Sequence, residues 1–263
     1  MPTIRNNDLE IHYEIHGTGH PVLLLHGATV SFKYNYADFG WIESLNTAGM
    51  QAIGIDFRGH GNSSKPHDAS SYGTASLASD ALAVLDHLGL QKVSLVGYSI
   101  GTAVALHLMR VAPERFDKAA LVATGDGLIG HEPRTFARIM PALAPVLART
   151  EYPKDLPAHL AAYWTFVSAT GGDKSALLAF SQADYPALSK EEAAGILIPT
   201  LVISGQNDMV LGRGPRLASA LACGEYVEIP DADHFSLAAD LGTRTRVAQF
   251  LSACMPLRTP QAD

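Results

Sequence analysis

The sequence predicts an α/β fold: a mostly parallel central sheet flanked by helices and interrupted by a helical insertion. Three observations predict it. Short apolar runs of strand length recur along the chain. Segments with helical spacing alternate with them, as a parallel sheet needs if both its faces are to be covered. The alternation then stops between residues 126 and 195, and resumes to the end.

The elements follow in order. Leu9–His16 alternates apolar and polar residues, which suits a strand with one wet face carrying His12, Glu14 and His16. Gly17-Thr18-Gly19 supplies a turn. Residues 22–25 are apolar throughout, as in a strand buried on both faces, and 50–56 read as the next such strand. Leu77, Ala81, Leu82, Leu85 and Leu88 fall at helical spacing across 74–88, with Gly89 as the stop. Strand 93–96, helix 102–110 and strand 118–123 come next, the helix ended by Ala112-Pro113. Between 126 and 195 prolines recur (Pro133, Pro141, Pro145, Pro153, Pro157), and helical pieces cover 136–147, 158–168 and 174–180. Strand 199–204, a short helix at 213–221, strand 225–229 and a closing helix at 237–251 complete the chain. The division expected is a core of 1–125 with 196–263, and a helical cap of 126–195.

Composition narrows the class. Of 263 residues, 47% are hydrophobic and 17% charged, which supports a sizeable core and opposes disorder. The formal charge of -7 comes without a Lys/Arg cluster, so no nucleic-acid partner is expected. No apolar run approaches the roughly 20 residues that span a bilayer, so no membrane association is expected. The first seventeen residues lack a signal peptide's basic start and apolar middle. Cys223 and Cys254 form no CxxC pattern, which points to a reducing compartment; the expected location is cytoplasmic.

Chemistry concentrates in a few places. Gly97-Tyr98-Ser99-Ile100-Gly101 stands where an apolar strand hands over to a helix. A serine on such a sharp turn is exposed for attack, and small residues on either side let strand and helix pass closely. The following helix favours negative charge at its N-terminus. A nucleophilic serine needs a base, and His234 lies in a loop just before the last helix. The imidazole needs a carboxylate to hold its far N–H. Asp208, just beyond the strand ending at Ser204, is favoured for this, with Asp126 as its rival. An oxyanion needs donors, and the backbone N–H groups of Ile100 and Ala28 meet that need. Ala28 lies in the loop His26-Gly27-Ala28-Thr29 after the early buried strand, where His26 either pins the loop or packs in the core.

These segments, with Asp56-Phe57-Arg58-Gly59-His60-Gly61-Asn62-Ser63 and the chain order Ser99, Asp208, His234, resemble the α/β-hydrolase superfamily over nearly the whole chain. The resemblance implies the α/β-hydrolase fold, a cap that covers the active site, and a serine hydrolase. The serine nucleophile separates it from the branches that use aspartate. The oxyanion segment is HGAT, not the HGGG of the lipase-like branch, and there is no HGxGPG segment.

Other features carry less. His12-Tyr13-Glu14-Ile15-His16 is not HExxH and sits on a strand, so no metal is expected. Gly59-His60-Gly61 lacks the GK[ST] ending of a phosphate loop. Phe32, Tyr34, Tyr36, Tyr98, Tyr163, Trp164, Phe166 and Met209 could wall an apolar pocket, and Tyr98, Trp164 and Met209 are taken as substrate-binding candidates. The function expected is cleavage of small to medium, apolar carboxylic esters through an acyl-enzyme on Ser99, with no cofactor. The alternatives are a lactonase or carbon–carbon bond hydrolase, a cofactor-free perhydrolase, and a ligand-binding receptor on the same scaffold.

Overall fold

The computed structural model describes residues 2–130 and 135–253. Eight strands form one sheet: β1 (Thr3–Asn6), β2 (Leu9–His16), β3 (His20–Leu25), β4 (Met50–Ile55), β5 (Val93–Tyr98), β6 (Phe116–Val122), β7 (Thr200–Gly205) and β8 (Gly224–Ile229). Their order is β1-β2-β4-β3-β5-β6-β7-β8. The β1–β2 and β2–β4 pairs are antiparallel, and every pair from β4 through β3 to β8 is parallel. The helices are α1 (Phe32–Asn35), α2 (Trp41–Thr47), α3 (Thr74–His87), α4 (Ile100–Val111), α5 (Phe136–Ala142), α6 (Ala144–Leu147), α7 (Ala158–Ala169), α8 (Lys174–Ser181), α9 (Lys190–Ala194), α10 (Pro215–Ala220) and α11 (Leu241–Ser252).

Alternation along the buried strands sorts side chains between two cores. Leu23 and Leu25 of β3, with Leu95 of β5, pack with α3 and α4 on one face. Val22, Leu24 and Val96 pack with Trp41 and Leu45 of α2 and Val247 and Leu251 of α11 on the other. A parallel strand covered on both sides has no wet face, which is why these runs are apolar throughout.

Several elements depart from the sequence reading. β1, α1 and α2 were not expected. The 136–147 helix divides at Leu143, because Pro145 has no N–H to offer the carbonyl of Pro141. The closing helix begins late: Ser236–Ala238 is a separate 3-10 turn, and α11 starts after Asp240, whose carboxylate accepts from the N–H groups of Gly242 and Thr243. His12 is not on a wet face. It is 1% exposed, with Nδ1 2.9 Å from Asp56, because the 56–64 turn covers the middle of β2. Pro133 and Cys254 lie outside the described residues.

Between β6 and β7 the described residues form the helices α5 to α9 and no named strand. One isolated bridge, Ile129 to Leu188, ties the two ends of this insertion together. Among the described residues no helix is long and apolar enough to cross a membrane.

Candidate active site

The site forms at the carboxyl ends of β3, β5, β7 and β8. Ser99 follows β5 with φ 51° and ψ -118°, a left-handed conformation that L-residues avoid. The turn is held: Ser99 N–H donates to the carbonyl of Val122 at 3.0 Å, and the Ser99 carbonyl accepts from the Thr102 hydroxyl at 2.6 Å. Both flanking glycines are sterically required. A Cβ on Gly97 would come within 2.6 Å of the Gly101 carbonyl oxygen, and one on Gly101 within 2.1 Å of the Leu25 carbonyl oxygen.

Three side chains then run in one line. Ser99 Oγ is 2.9 Å from His234 Nε2, and His234 Nδ1 is 2.8 Å from Asp208 Oδ2. All three residues are buried. A carboxylate only accepts, so Nδ1 carries the proton, and neutral Nε2 offers its lone pair to the serine hydroxyl. Asp208 Oδ1 is committed elsewhere, accepting from the N–H groups of Val210 at 2.8 Å and Leu211 at 2.9 Å. The Tyr98 hydroxyl donates to the backbone carbonyl of His234 at 2.6 Å, tying the histidine loop to the end of β5. Asp126, the rival acid, is used otherwise: its Oδ1 accepts from Leu217 N–H at 2.9 Å in the first turn of α10.

The N–H groups of Ala28 and Ile100 have no hydrogen-bond partner within the protein among the described residues. The loop bearing Ala28 is fixed from three sides. Gly27 N–H donates to Asn35 Oδ1 at 2.7 Å. His26 Nδ1 lies 2.7 Å from the Gly27 carbonyl oxygen, and His26 Nε2 accepts from Phe57 N–H at 3.0 Å. That carbonyl belongs to the same trans peptide as Ala28 N–H, so holding the oxygen aims the N–H the opposite way. Burial lowers the His26 pKa and keeps the ring neutral. His60 does the same one residue on, with Nδ1 3.0 Å from the Arg58 carbonyl and Nε2 accepting from Thr29 N–H at 3.1 Å. Burial, with His26 nearby, drives its pKa down to about 3.

Of the substrate-binding candidates, Tyr98 is a structural tie at the site. Trp164 instead packs edge-on to Tyr152 with Lys174 Nζ 3.8 Å above its ring, and Met209 is 75% exposed. Phe32 and Tyr36 are core residues of the sheet face that holds α2 and α11. Sequence reading gives no role to Asn35, Thr29 or His60, and takes Tyr163 as a pocket wall, whereas its hydroxyl is bonded to Thr29. Asn35 carried a signal, a polar residue set between Tyr34 and Tyr36.

A second Ser-His-Asp group, Ser94, His20 and Asp117, lies at the opposite end of the sheet. It is not a relay, because Asp117 at 2.9 Å and Ser94 at 3.1 Å meet the same imidazole nitrogen, Nε2. A cavity of about 240 Å³ adjoins Thr29, lined also by Glu14, Lys33, Lys65 and Gly171, but neither Ser99 nor His234 lines it. Among the described residues no group of three His, Cys, Asp or Glu side chains could hold a metal ion.

A serine on a strand-to-helix turn, a histidine against it, and helices bridging β6 and β7 define the class: a hydrolase on a doubly covered, mostly parallel sheet. The chain belongs to the alpha/beta hydrolase fold family, whose model matches residues 20–190. Epoxide hydrolase 3 of Siraitia grosvenorii is 34% identical over 116 residues, a match spanning 43% of this chain and 35% of that protein. The enol-lactonase of Burkholderia xenovorans superposes with a TM-score of 0.74 at 26% identity, over 96% of this chain and all of that one. A structure described as an N-acyl homoserine lactone degrading enzyme gives 0.71 at 25% identity, over 94% and 99%.

Proposed function

We propose that this protein hydrolyses carboxylic esters of small to medium, apolar substrates through an acyl-enzyme on Ser99. The observation that carries the reading is the continuous line Asp208–His234–Ser99 beside two uncommitted backbone N–H groups. Ser99 Oγ attacks the ester carbonyl as its proton passes to His234 Nε2. The oxyanion of the tetrahedral intermediate accepts from Ala28 and Ile100 N–H, at the N-terminus of α4. The carbon–oxygen bond to the alcohol then breaks, and His234 returns the proton to the leaving oxygen. Water attacks the acyl-enzyme by the same relay, releasing the acid and restoring Ser99. Asp208 stays ionised and steadies the imidazolium. The residues 126–195 act as a cap, and no step draws on a cofactor.

The apolar preference rests on the company of Ala28. Ala28 and Val210 pack against the core cluster that also contains Leu128, Phe136 and Met140 of the proposed cap and Leu211 behind Asp208. A lactone is an ester whose alcohol stays attached after ring opening, so the same machinery accepts it. The likeness to the enol-lactonase, over nearly the full length of both chains, favours lactones as a second substrate group.

The test is hydrolysis of p-nitrophenyl acetate and of a lactone panel by the native chain and by Ser99→Ala. Loss of a triad nucleophile costs about a million-fold in kcat. A variant that retains the native rate would remove Ser99 from the chemistry. A native chain that binds these compounds without turnover would make the protein a receptor.

A further inference from the structure

Thr29 is the residue immediately after the proposed oxyanion donor, and it is unusual in three respects. Its φ is 61°, in the left-handed region, where a β-branched side chain is an outlier. Its N–H is held by His60 Nε2. Its hydroxyl accepts from the hydroxyl of Tyr163, on α7 of the insertion, at 3.0 Å. Residues in such conformations persist only when their surroundings over-determine them, and they gather where geometry matters to function. Here two unrelated parts of the chain grip one strained residue. One is the 56–64 turn of the core, and the other is the insertion, 134 residues away in sequence.

We propose that the Tyr163–Thr29 hydrogen bond is a latch that sets the oxyanion loop only when α7 is seated, making Tyr163 a positioning residue for the hydrolysis. This rests on the assignment of Ser99 and Ala28 as nucleophile and oxyanion donor. The Gly27–Ala28 peptide already has its carbonyl fixed by His26 and its preceding N–H fixed by Asn35. Downstream of Ala28 the first tethers are at Thr29, one bond to the core and one to α7, and the next is Phe32 N–H on Asp56. The Tyr163 hydroxyl stays protonated and able to donate, since burial pushes its pKa up to about 12. Substrate entering beneath the insertion would break the latch, and closure over bound substrate would remake it. The loop bearing the donor is then held on both sides only in the closed, water-poor state, where the donor is most effective.

The experiment compares Tyr163→Phe, Thr29→Val, the double variant and Thr29→Ser with the native chain, using p-nitrophenyl acetate and a phosphonate that forms a tetrahedral adduct on the serine. Loss of one neutral hydrogen bond predicts a fall of about three- to tenfold in kcat with KM unchanged. Phosphonylation slows by the same factor. The double variant falls no further than either single one, because both remove one interaction. Thr29→Ser keeps the hydroxyl and the native rate. A rise in KM at constant kcat would make Tyr163 a substrate contact instead, and additive losses would separate the two residues; either overturns the latch. Amide exchange at Thr29 is read on the same proteins without substrate. The latch predicts faster exchange in Tyr163→Phe, and unchanged exchange overturns it even if esters prove to be the wrong substrates. Faster exchange in a chain that hydrolyses no ester or lactone would leave the latch standing and sink the proposed ester hydrolysis.

Discussion

Asp208→Asn isolates the tautomer argument, and the surrounding hydrogen bonds dictate which way the new amide faces. In the native protein Oδ1 accepts from the N–H groups of Val210, Leu211 and, at 3.4 Å, Gly212, while Oδ2 faces His234 Nδ1. An asparagine can satisfy three backbone donors only by turning its carbonyl oxygen toward them. Its NH2 is then presented to His234, where it must donate. The imidazole answers by accepting at Nδ1 and carrying its proton on Nε2, so an N–H now points at Ser99 Oγ and cannot take a proton from it. The geometry survives while the base is lost. A wrong tautomer in such a relay lowers kcat by about 10⁴, or roughly 5.5 kcal/mol of barrier. The assay is burst and steady-state hydrolysis of p-nitrophenyl acetate, with Asp126→Asn as the companion. The Asp126 carboxylate accepts from the α10 amide of Leu217, so that variant should lose stability without losing the base. A slow Asp126→Asn beside a fast Asp208→Asn would refute the assignment of the acid.

Two further outcomes follow from packing and protonation. Gly101→Ala places a Cβ 2.1 Å from the backbone oxygen of Leu25, an atom that moves only if β3 parts from α4, so a loss of about 3 kcal/mol or failure to fold is expected; Gly89→Ala, with open space around it, should cost only the left-handed strain of about 1–2 kcal/mol, and urea midpoints of the two would separate them. Burial holds the folded pKa of His60 near 3, below its ordinary 6.5, so between those values the unfolded chain binds more protons and stability falls as pH drops. The slope from this group is about 1.4 kcal/mol per pH unit, with His26 acting in the same direction. Denaturant midpoints from pH 7 to pH 5 should show the loss in the native chain and less of it in His60→Gln, and equal slopes would contradict the buried neutral ring.

Much of the candidate site is legible in the sequence because Ser99, Asp208 and His234 each follow a strand, and β5 and β7 show themselves by Val93, Leu95 and Val96 and by Leu201, Val202 and Ile203. The helices at 32–47 were harder to see. Phe32 and Tyr36 keep helical spacing, as do Trp41 and Leu45, but Gly40 at φ 76° breaks the phase between the pairs. The wet face assigned to His12 failed because its partner, Asp56, comes from a turn 44 residues on and brings its own acceptors. Burial alone would raise the Asp56 pKa, but the bond from His12, the nearness of His26 and two backbone N–H groups hold it well below the usual range. The Thr29–Tyr163 pairing is invisible to motif reading for the same reason, since the two hydroxyls meet across 134 residues of sequence. Met209 follows Asp208 in sequence and Trp164 lies in the expected cap, and neither placement decides where a side chain points.

Backbone strain ties these observations to one end of the sheet. Among the described residues five non-glycine residues have positive φ: Asn7, Thr29, Ser99, Ala123 and Asp231. Asn7 turns the β1–β2 hairpin, where asparagine is well suited. The other four follow the carboxyl ends of β3, β5, β6 and β8. Each such residue costs of the order of 1–3 kcal/mol, so the strain at this end is comparable to the whole stability of an ordinary domain. Turn-making alone does not explain it, since serine, threonine and alanine are poor choices where glycine would relieve the strain. At Ser99 the hydroxyl explains the choice, and at Thr29 the hydroxyl held by Tyr163 explains it in the same way. The sheet is relaxed at the end where His20, Ser94 and Asp117 meet and strained at the end where Ser99 turns, which is the asymmetry expected if the strained end is kept for chemistry.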